Sequence, residues 1–281
     1  MSWHIGREGA QPGALGYYDY GITPYFALQS DPRFSYCLYV PRKSPPAGYR
    51  LLVALHGTAR HAEGYRDAFA DFAEAKGALV LAPLFPAGIE GPEDLSGYKR
   101  LRSGTIPYDL RLLDMVAEVA ARYPLREGGF FLHGFSGGGH FAHRFLLAHP
   151  QQLAGVSIGA PGIVTLPDPQ ADWWAGIRDF AAVFGHAPDL AAIARVPVHV
   201  CVGDQDTETW EITLAPGDGW WMQGAEWQAQ ATRIARAERL DQALREVGCD
   251  VRFDLVPGAG HDGAAMIPCV QHWMAGQLSP E

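Results

Sequence analysis

Cysteine is scarce in this sequence, and its spacing fits no compact zinc motif. The 281 residues include four cysteines, and no two of them form a Cys-x-x-Cys pair. This pattern argues against a zinc site or a disulfide scaffold. Three of the four lie in or beside apolar segments, where a free thiol usually packs as a small hydrophobic group. The four are Cys37, Cys201, Cys249 and Cys269.

Positive charge and long apolar runs are also lacking. Against 31 Asp and Glu there are only 22 Lys and Arg, scattered along the chain, which gives a formal net charge of −9. Without a basic stripe we expect no nucleic-acid partner and no binding to an anionic membrane. No run approaches the roughly 20 apolar residues of a membrane span, and the N-terminus lacks the apolar core of a signal peptide. We therefore expect a cytoplasmic protein, unless a signal peptide has been removed.

The chain does contain many short apolar runs, which alternate with segments of helical periodicity. Aromatic and β-branched runs at 17–20, 25–28 and 34–40 predict antiparallel strands at one edge of a sheet. Helix and buried strand then alternate at least five times, which predicts a mostly parallel sheet with helices on both faces. The predicted strands are 51–55, 78–82, 129–133, 154–160, 196–202 and 251–256. The predicted helices include 62–76, 141–149 and 227–247, with a long loop at 83–104.

One of these strands ends in Gly-Phe-Ser-Gly-Gly at 134–138, and a helical segment follows it. Strand, sharp turn and helix around a Gly-x-Ser-x-Gly pattern place a serine hydroxyl above the edge of a sheet. Ser136 is therefore the candidate nucleophile. A serine hydroxyl needs a base within hydrogen-bond reach, and an acid to orient that base. Two loops after later strands offer them: Gly-Asp-Gln-Asp at 203–206 and Gly-Ala-Gly-His at 258–261.

The order serine, aspartate, histidine is the one that the α/β-hydrolase arrangement requires. With Leu-His-Gly at 55–57, four motifs stand in register, and the chain resembles the α/β-hydrolase superfamily over residues 36–276. The resemblance is to its small serine esterase branch, which includes polyhydroxyalkanoate depolymerase-like and feruloyl-esterase-like proteins. It implies an eight-stranded, mostly parallel sheet with antiparallel N-terminal strands. It also implies one domain over residues 1–281 and a mechanism with no metal or cofactor.

The resemblance also favours one assignment of the catalytic roles. The family usually places the acid three residues after the strand-ending glycine, here Gly203, which favours Asp206 over Asp204, a residue that a turn would use anyway. His261 is the favoured base, and His272 is the other histidine worth testing. The backbone N–H of Gly137, directly after the nucleophile, is one expected oxyanion donor. The resemblance implies the backbone of Thr58 as the other.

Five of the eight tryptophans lie in two segments, 163–195 and 207–223, which leave the sheet beside the predicted site. They are Trp173, Trp174, Trp210, Trp220 and Trp221. An aromatic wall there would favour an apolar acyl or aromatic group, whereas the alternative is that the rings pack a peripheral helix onto the sheet. Neither segment is long enough for a large cap domain, so we expect a fairly open pocket.

These motifs predict a serine hydrolase that cleaves small-molecule carboxylic esters through an acyl-serine intermediate. Acyl transfer and the hydrolysis of lactones or amides use the same triad, and the sequence does not separate them. A catalytically silent binding protein of the same fold is the alternative from another class. A nucleotide-binding α/β protein is disfavoured, because the loop after the strand 51–55 reads His-Gly-Thr-Ala and lacks a phosphate-binding glycine pattern. The oligomeric state stays open.

Overall fold

The computed structural model describes residues 19–278. In chain order the strands are β1 (Gly21–Ile22), β2 (Phe26–Ala27), β3 (Ser35–Val40), β4 (Arg50–Leu55), β5 (Ala78–Leu84), β6 (Arg102–Ser103), β7 (Ile106–Pro107), β8 (Phe130–Phe135), β9 (Leu153–Gly159), β10 (Val198–Gly203) and β11 (Val251–Val256). The α-helices are α1 (Ala62–Ala68), α2 (Ala70–Lys76), α3 (Tyr108–Arg122), α4 (Gly137–Ala148), α5 (Phe180–Phe184), α6 (Leu190–Ile193), α7 (Arg233–Val247) and α8 (Gly263–Gln277). None of these helices is long and apolar enough to cross a membrane.

Nine of the described strands form one sheet in the order β1-β3-β5-β4-β8-β9-β10-β11, with β2 paired to β3. The six strands from β5 to β11 in that order run parallel, while β3 is antiparallel to β5, β1 and β2. The predicted mostly parallel sheet with antiparallel N-terminal strands is therefore confirmed. Tyr17 and Tyr18, at the start of the first predicted strand, lie outside the described residues.

Helices cover both faces of the sheet, which explains why its central strands are mostly apolar. Successive residues of a strand point to opposite faces. Phe130 of β8 packs against Phe145 of α4, with ring centroids 5.8 Å apart, while its neighbour Phe131 packs against Trp273 of α8 at 6.4 Å. The helices α4 and α8 therefore lie on opposite faces, and a strand between them has no solvent-facing side.

Several predicted elements differ in detail. The helix predicted over 227–247 begins at Arg233 as α7, after a separate 3₁₀ turn. The predicted helix 62–76 is divided into α1 and α2 at Phe69, whose backbone (φ −101°, ψ 1°) leaves the helical range. The Phe69 ring is fully buried against His133, with centroids 5.7 Å apart, so packing takes precedence over helix continuity here. The predicted loop 83–104 contains a short 3₁₀ helix, Gly97–Arg100, and the first strand of the β6–β7 hairpin.

Candidate active site

Ser136 lies at the turn between β8 and α4, at the carboxyl edge of the parallel strands. Its φ of 55° and ψ of −115° place a non-glycine residue in a range that side chains rarely adopt. The backbone closes so tightly here that a Cβ on Gly134 would overlap the carbonyl of Gly138, and one on Gly138 would lie 2.7 Å from the carbonyl oxygen of Leu55. Glycine is therefore required on both sides of the serine, and the turn lifts its hydroxyl out of the sheet.

His261 and Asp206 reach this serine from loops that follow β11 and β10. The Nε2 atom of His261 lies 3.0 Å from Ser136 Oγ, and its Nδ1 atom lies 2.7 Å from Asp206 Oδ2. The carboxylate of Asp206 is fully buried, while the imidazole is partly exposed. The structure thus brings together three side chains from distant parts of the chain, with a nitrogen facing the hydroxyl and a carboxylate behind the ring.

The two alternative residues lie elsewhere. Asp204 points away from the imidazole, since its Oδ1 accepts a hydrogen bond from the backbone N–H of Gly258 at 2.8 Å. That bond ties the turn after β10 to the turn after β11, the turn-forming role considered from the sequence. His272 is exposed on α8. The hydrogen-bonded series at Ser136 is therefore formed by His261 and Asp206, and not by these two alternatives.

Sequence reasoning did not identify Arg233, because an arginine at the start of a helix resembles an ordinary surface residue. Its guanidinium lies 3.3 Å from Asp206 Oδ1 and 2.9 Å from Glu211 Oε2, and its side chain is only 3% exposed. A further bond to the carbonyl oxygen of Glu208, at 3.1 Å, fixes its orientation. One buried cation is thus shared between the buried Asp206 and the half-exposed Glu211.

We expect Arg233→Met to lower the free energy of unfolding by about 3 kcal/mol, because it leaves the buried carboxylate of Asp206 without its cation. Glu211→Gln is the matched control: its carboxylate is 47% exposed, and we expect a loss below about 1 kcal/mol. Urea denaturation followed by tryptophan fluorescence measures both. Equal losses in the two variants would contradict a special role for the Arg233–Asp206 pair.

The expected oxyanion donors lie beside the serine, and a buried histidine fixes one of them. His56 accepts a hydrogen bond from the N–H of Phe85 at 3.0 Å and donates one to the carbonyl of Gly57 at 2.8 Å. Burial lowers the pKa of His56 to about 4, so the neutral ring can accept and donate at once. It thereby holds the loop that carries Thr58. A Cβ on Gly137 would lie 3.0 Å from the Thr58 nitrogen, so the two backbone segments are adjacent.

A cavity of about 520 Å³ opens at the serine, between α1 and α8. Its described lining is largely apolar, with Glu211 and His61 among its polar members and no lysine or arginine. The residues that line it include Ala59, Tyr65, Ala68, Phe135, Ala264 and Ile267, together with Thr58, Ser136 and His261. The candidate nucleophile and base therefore share one wall of an open, mainly apolar cavity.

A second serine–histidine–aspartate series lies in the core. Ser157 Oγ is 3.0 Å from His199 Nδ1, and His199 Nε2 is 3.1 Å from Asp254 Oδ2. His133 joins from the other side, with its Nδ1 3.1 Å from Ser157 Oγ. The serine and both histidines are fully buried within the strands, so this series satisfies internal polar groups and has no access to a substrate.

Comparison with solved structures identifies the fold. No protein-family model matches the sequence, and no curated protein matches it. Among solved structures, a poly(3-hydroxybutyrate) depolymerase from Bordetella parapertussis is 25% identical, with a TM-score of 0.69 over 88% of this chain and 85% of its own. The chain has the α/β-hydrolase fold. A poly(aspartic acid) hydrolase from Sphingomonas sp. KT-1 shares that TM-score at 23% identity, over 85% of this chain and 92% of its own.

An S-formylglutathione hydrolase from Agrobacterium tumefaciens resembles this α/β-hydrolase more distantly. Its TM-score is 0.57 at 17% identity, over 92% of this chain and 100% of its own. These structural neighbours of the α/β-hydrolase chain are hydrolases, and esterases are prominent among them. Polymer-degrading enzymes share the fold with enzymes that act on small molecules, so fold alone leaves the substrate open.

The five tryptophans expected at the pocket pack mainly on their own two segments. The segments 163–195 and 207–223 pack on each other in a separate apolar cluster, in which Trp174 and Trp220 lie 5.4 Å apart and Trp221 packs at the edge. Trp173 packs on Phe184 at 4.9 Å, and Trp210 is 75% exposed. None of the five is among the described residues that line the cavity. The segment 207–223 reaches it through Glu211 instead.

Proposed function

We propose that this protein is a serine hydrolase that cleaves carboxylic esters, with Ser136 as nucleophile, His261 as general base and Asp206 as the acid that orients the base. The observation that carries the proposal is the pair of hydrogen bonds, 3.0 and 2.7 Å long, that joins the three side chains at the wall of the cavity. The second series offers no such access, because Ser157 and both of its histidines are fully buried. The esterases and the depolymerase among the structural neighbours support the same reaction class.

In the proposed first step, Ser136 Oγ attacks the ester carbonyl carbon while His261 Nε2 takes the hydroxyl proton. Asp206 accepts the Nδ1–H hydrogen bond, which keeps Nε2 free to act as the base and stabilises the imidazolium that forms. The carbonyl oxygen becomes an oxyanion, and the backbone N–H groups of Thr58 and Gly137 would donate to it. Each such donor contributes about 3 kcal/mol to the transition state.

The second half of the reaction reverses these roles. The His261 imidazolium protonates the leaving alkoxide, which departs as the alcohol and leaves an acyl group on Ser136. Water then enters, gives a proton to the imidazole and attacks the acyl carbon. Collapse of the second oxyanion breaks the bond to Ser136 Oγ, which takes the proton back from the imidazolium, and releases the carboxylic acid. The open cavity gives water a path to the acyl-enzyme.

The charges around the cavity favour an uncharged substrate. Its described lining holds the carboxylate of Glu211, which already pairs with the buried Arg233, and no lysine or arginine that could pair with an anionic acyl group. A polyanionic substrate would need cationic side chains in this lining. The cavity therefore does not favour such a substrate, although one structural neighbour is a poly(aspartic acid) hydrolase. A neutral ester, like those of the poly(3-hydroxybutyrate) that another neighbour degrades, fits this lining better.

We expect p-nitrophenyl butyrate to be hydrolysed with a kcat/KM roughly three- to tenfold above that of mono-p-nitrophenyl succinate, whose carboxylate finds no lysine or arginine in the described lining of the cavity. Glu211→Gln should narrow this ratio by accelerating the charged substrate. Release of p-nitrophenol measures both. If neither ester is cleaved, the ester hydrolase proposal is wrong, whereas faster cleavage of the succinate would contradict only the argument from charge.

A further inference from the structure

Three side chains that could bind a metal ion lie close together on the face of the sheet that α8 covers. His199 and Cys201 are two residues apart on β10 and therefore point to the same face. Cys269 of α8 packs over them. One donor atom from each residue, a ring nitrogen and two Sγ atoms, lie within 4.8 Å of one another. The absence of a Cys-x-x-Cys pair had argued against zinc, but the fold joins cysteines that are far apart in sequence.

The separation of these atoms is close to what a tetrahedral ion needs. With Zn–S bonds of about 2.3 Å and Zn–N bonds of about 2.0 Å, neighbouring ligand atoms in a tetrahedral zinc site lie roughly 3.5 to 3.8 Å apart. A contraction of at most about 1.3 Å from the present spacing would close the site, and we expect side-chain torsions at Cys201 and Cys269 to supply it.

The imidazole already has the outer partners that metal-bound histidines use. His199 Nδ1 faces Ser157 Oγ at 3.0 Å and its Nε2 faces Asp254 Oδ2 at 3.1 Å. Whichever nitrogen an ion takes, the other keeps a hydrogen bond that fixes the ring, and a carboxylate or hydroxyl in that place is typical of metal sites. The ring is also stacked on Trp273, with centroids 5.3 Å apart. Its orientation is therefore set before an ion arrives.

The chemistry of the donors selects the ion. Two thiols and an imidazole suit Zn²⁺ and other thiophilic cations, and they suit Mg²⁺ or Ca²⁺ poorly. Cys269 is partly exposed, while His199 and Cys201 are buried, so an ion would enter from the α8 side.

We propose that His199, Cys201 and Cys269 form a binding site for one thiophilic divalent cation such as Zn²⁺. This site would join β10, whose following loop carries Asp206, to α8, which begins two residues after His261. An ion there would stabilise the packing of α8 on the sheet. The proposal depends on the fold and on these three residues, and it holds or fails independently of the ester hydrolase proposal.

Cobalt(II) titration of the reduced full-length chain tests the site, because thiolate-bound cobalt has a charge-transfer absorption in the near ultraviolet. We expect one cobalt per chain, displaced by one equivalent of Zn²⁺. Cys269→Ser should weaken binding by more than about 100-fold, since even the loss of an outer partner costs about 10- to 100-fold. The matched control is Cys249→Ser: this thiol donates to the carbonyl of Ile193, outside the cluster, and binding should be unchanged.

A second measurement separates binding from misfolding. Zn²⁺ should raise the Tm of the wild type and of Cys249→Ser but not that of Cys269→Ser, whose Tm without metal reports whether that variant folds. His199→Gln, which keeps both thiols, should also lose the cobalt absorption. The proposal is wrong if the reduced wild type shows no thiolate charge-transfer band with stoichiometric cobalt, or if the band persists in folded Cys269→Ser.

Discussion

Ser136→Ala should lower kcat for ester hydrolysis by at least about 10⁴-fold, since loss of the nucleophile removes the acyl-enzyme route and leaves only binding and oxyanion stabilisation. The fold should persist, because the change removes one exposed oxygen at the cavity wall. Hydrolysis of p-nitrophenyl butyrate gives the rate, and a fluorophosphonate probe reports covalent labelling of the serine. We expect labelling of the wild type and none of the variant.

The chain supplies its own control for this experiment. Ser157 also stands beside a histidine that bonds to an aspartate, at nearly the same distances, but it is fully buried. Ser157→Ala should retain labelling and most of the activity, while losing about 1–3 kcal/mol of stability because His133 and His199 each lose a partner. Labelling that survives in Ser136→Ala and disappears in Ser157→Ala would reverse the assignment of the nucleophile.

Asp206→Asn should lower kcat by about 10⁴-fold, although it conserves the size of the side chain. An asparagine can donate its N–H to Nδ1 of His261, which places the ring proton on Nε2. That nitrogen then cannot accept the proton of Ser136. Steady-state hydrolysis of the butyrate ester measures the loss, and a circular dichroism spectrum checks that the variant is folded.

Asp204→Asn is the matched control for the acid. Its carboxylate accepts one backbone N–H, from Gly258, and an amide oxygen can accept the same bond. We expect a decrease of less than about tenfold, in line with the modest worth of a single hydrogen bond near the surface. If Asp204→Asn lowered kcat as much as Asp206→Asn, the assignment of Asp206 as the catalytic acid would lose its support.

Much of the fold follows from local patterns in the sequence. Buried parallel strands are continuous apolar runs, and their alternation with helical segments predicted the sheet that the structure shows. The residues proposed for catalysis follow from two local rules: a serine between glycines at a strand-to-helix turn, and polar groups in loops at the carboxyl edge. The structure brings Ser136, His261 and Asp206 together, and their catalytic roles stay a prediction.

Features that depend on contacts between distant segments could not be predicted in the same way. Arg233 pairs with Asp206 because α7 packs beside the turn after β10, and nothing in the sequence around residue 233 indicates this. The tryptophan-rich segments predicted an aromatic cluster but not whether its rings face the cavity or pack on each other. In the structure Trp174 and Trp220 pack on each other. The meeting of Cys201 and Cys269 depends on how α8 crosses β10, which no spacing in the sequence records.

The cavity wall has a consequence for how substrate preference can change. Tyr65 and Ile267, which line it, belong to α1 and α8, and both also pack against the main core. Enlarging the cavity at either position removes packing from a helix that covers the sheet, so a new preference would come with a loss of stability. Selection of variants with a larger cavity should therefore require compensating mutations elsewhere in the chain, whereas changes at the five tryptophans, none of which is among the described lining residues, should alter the size of the cavity little.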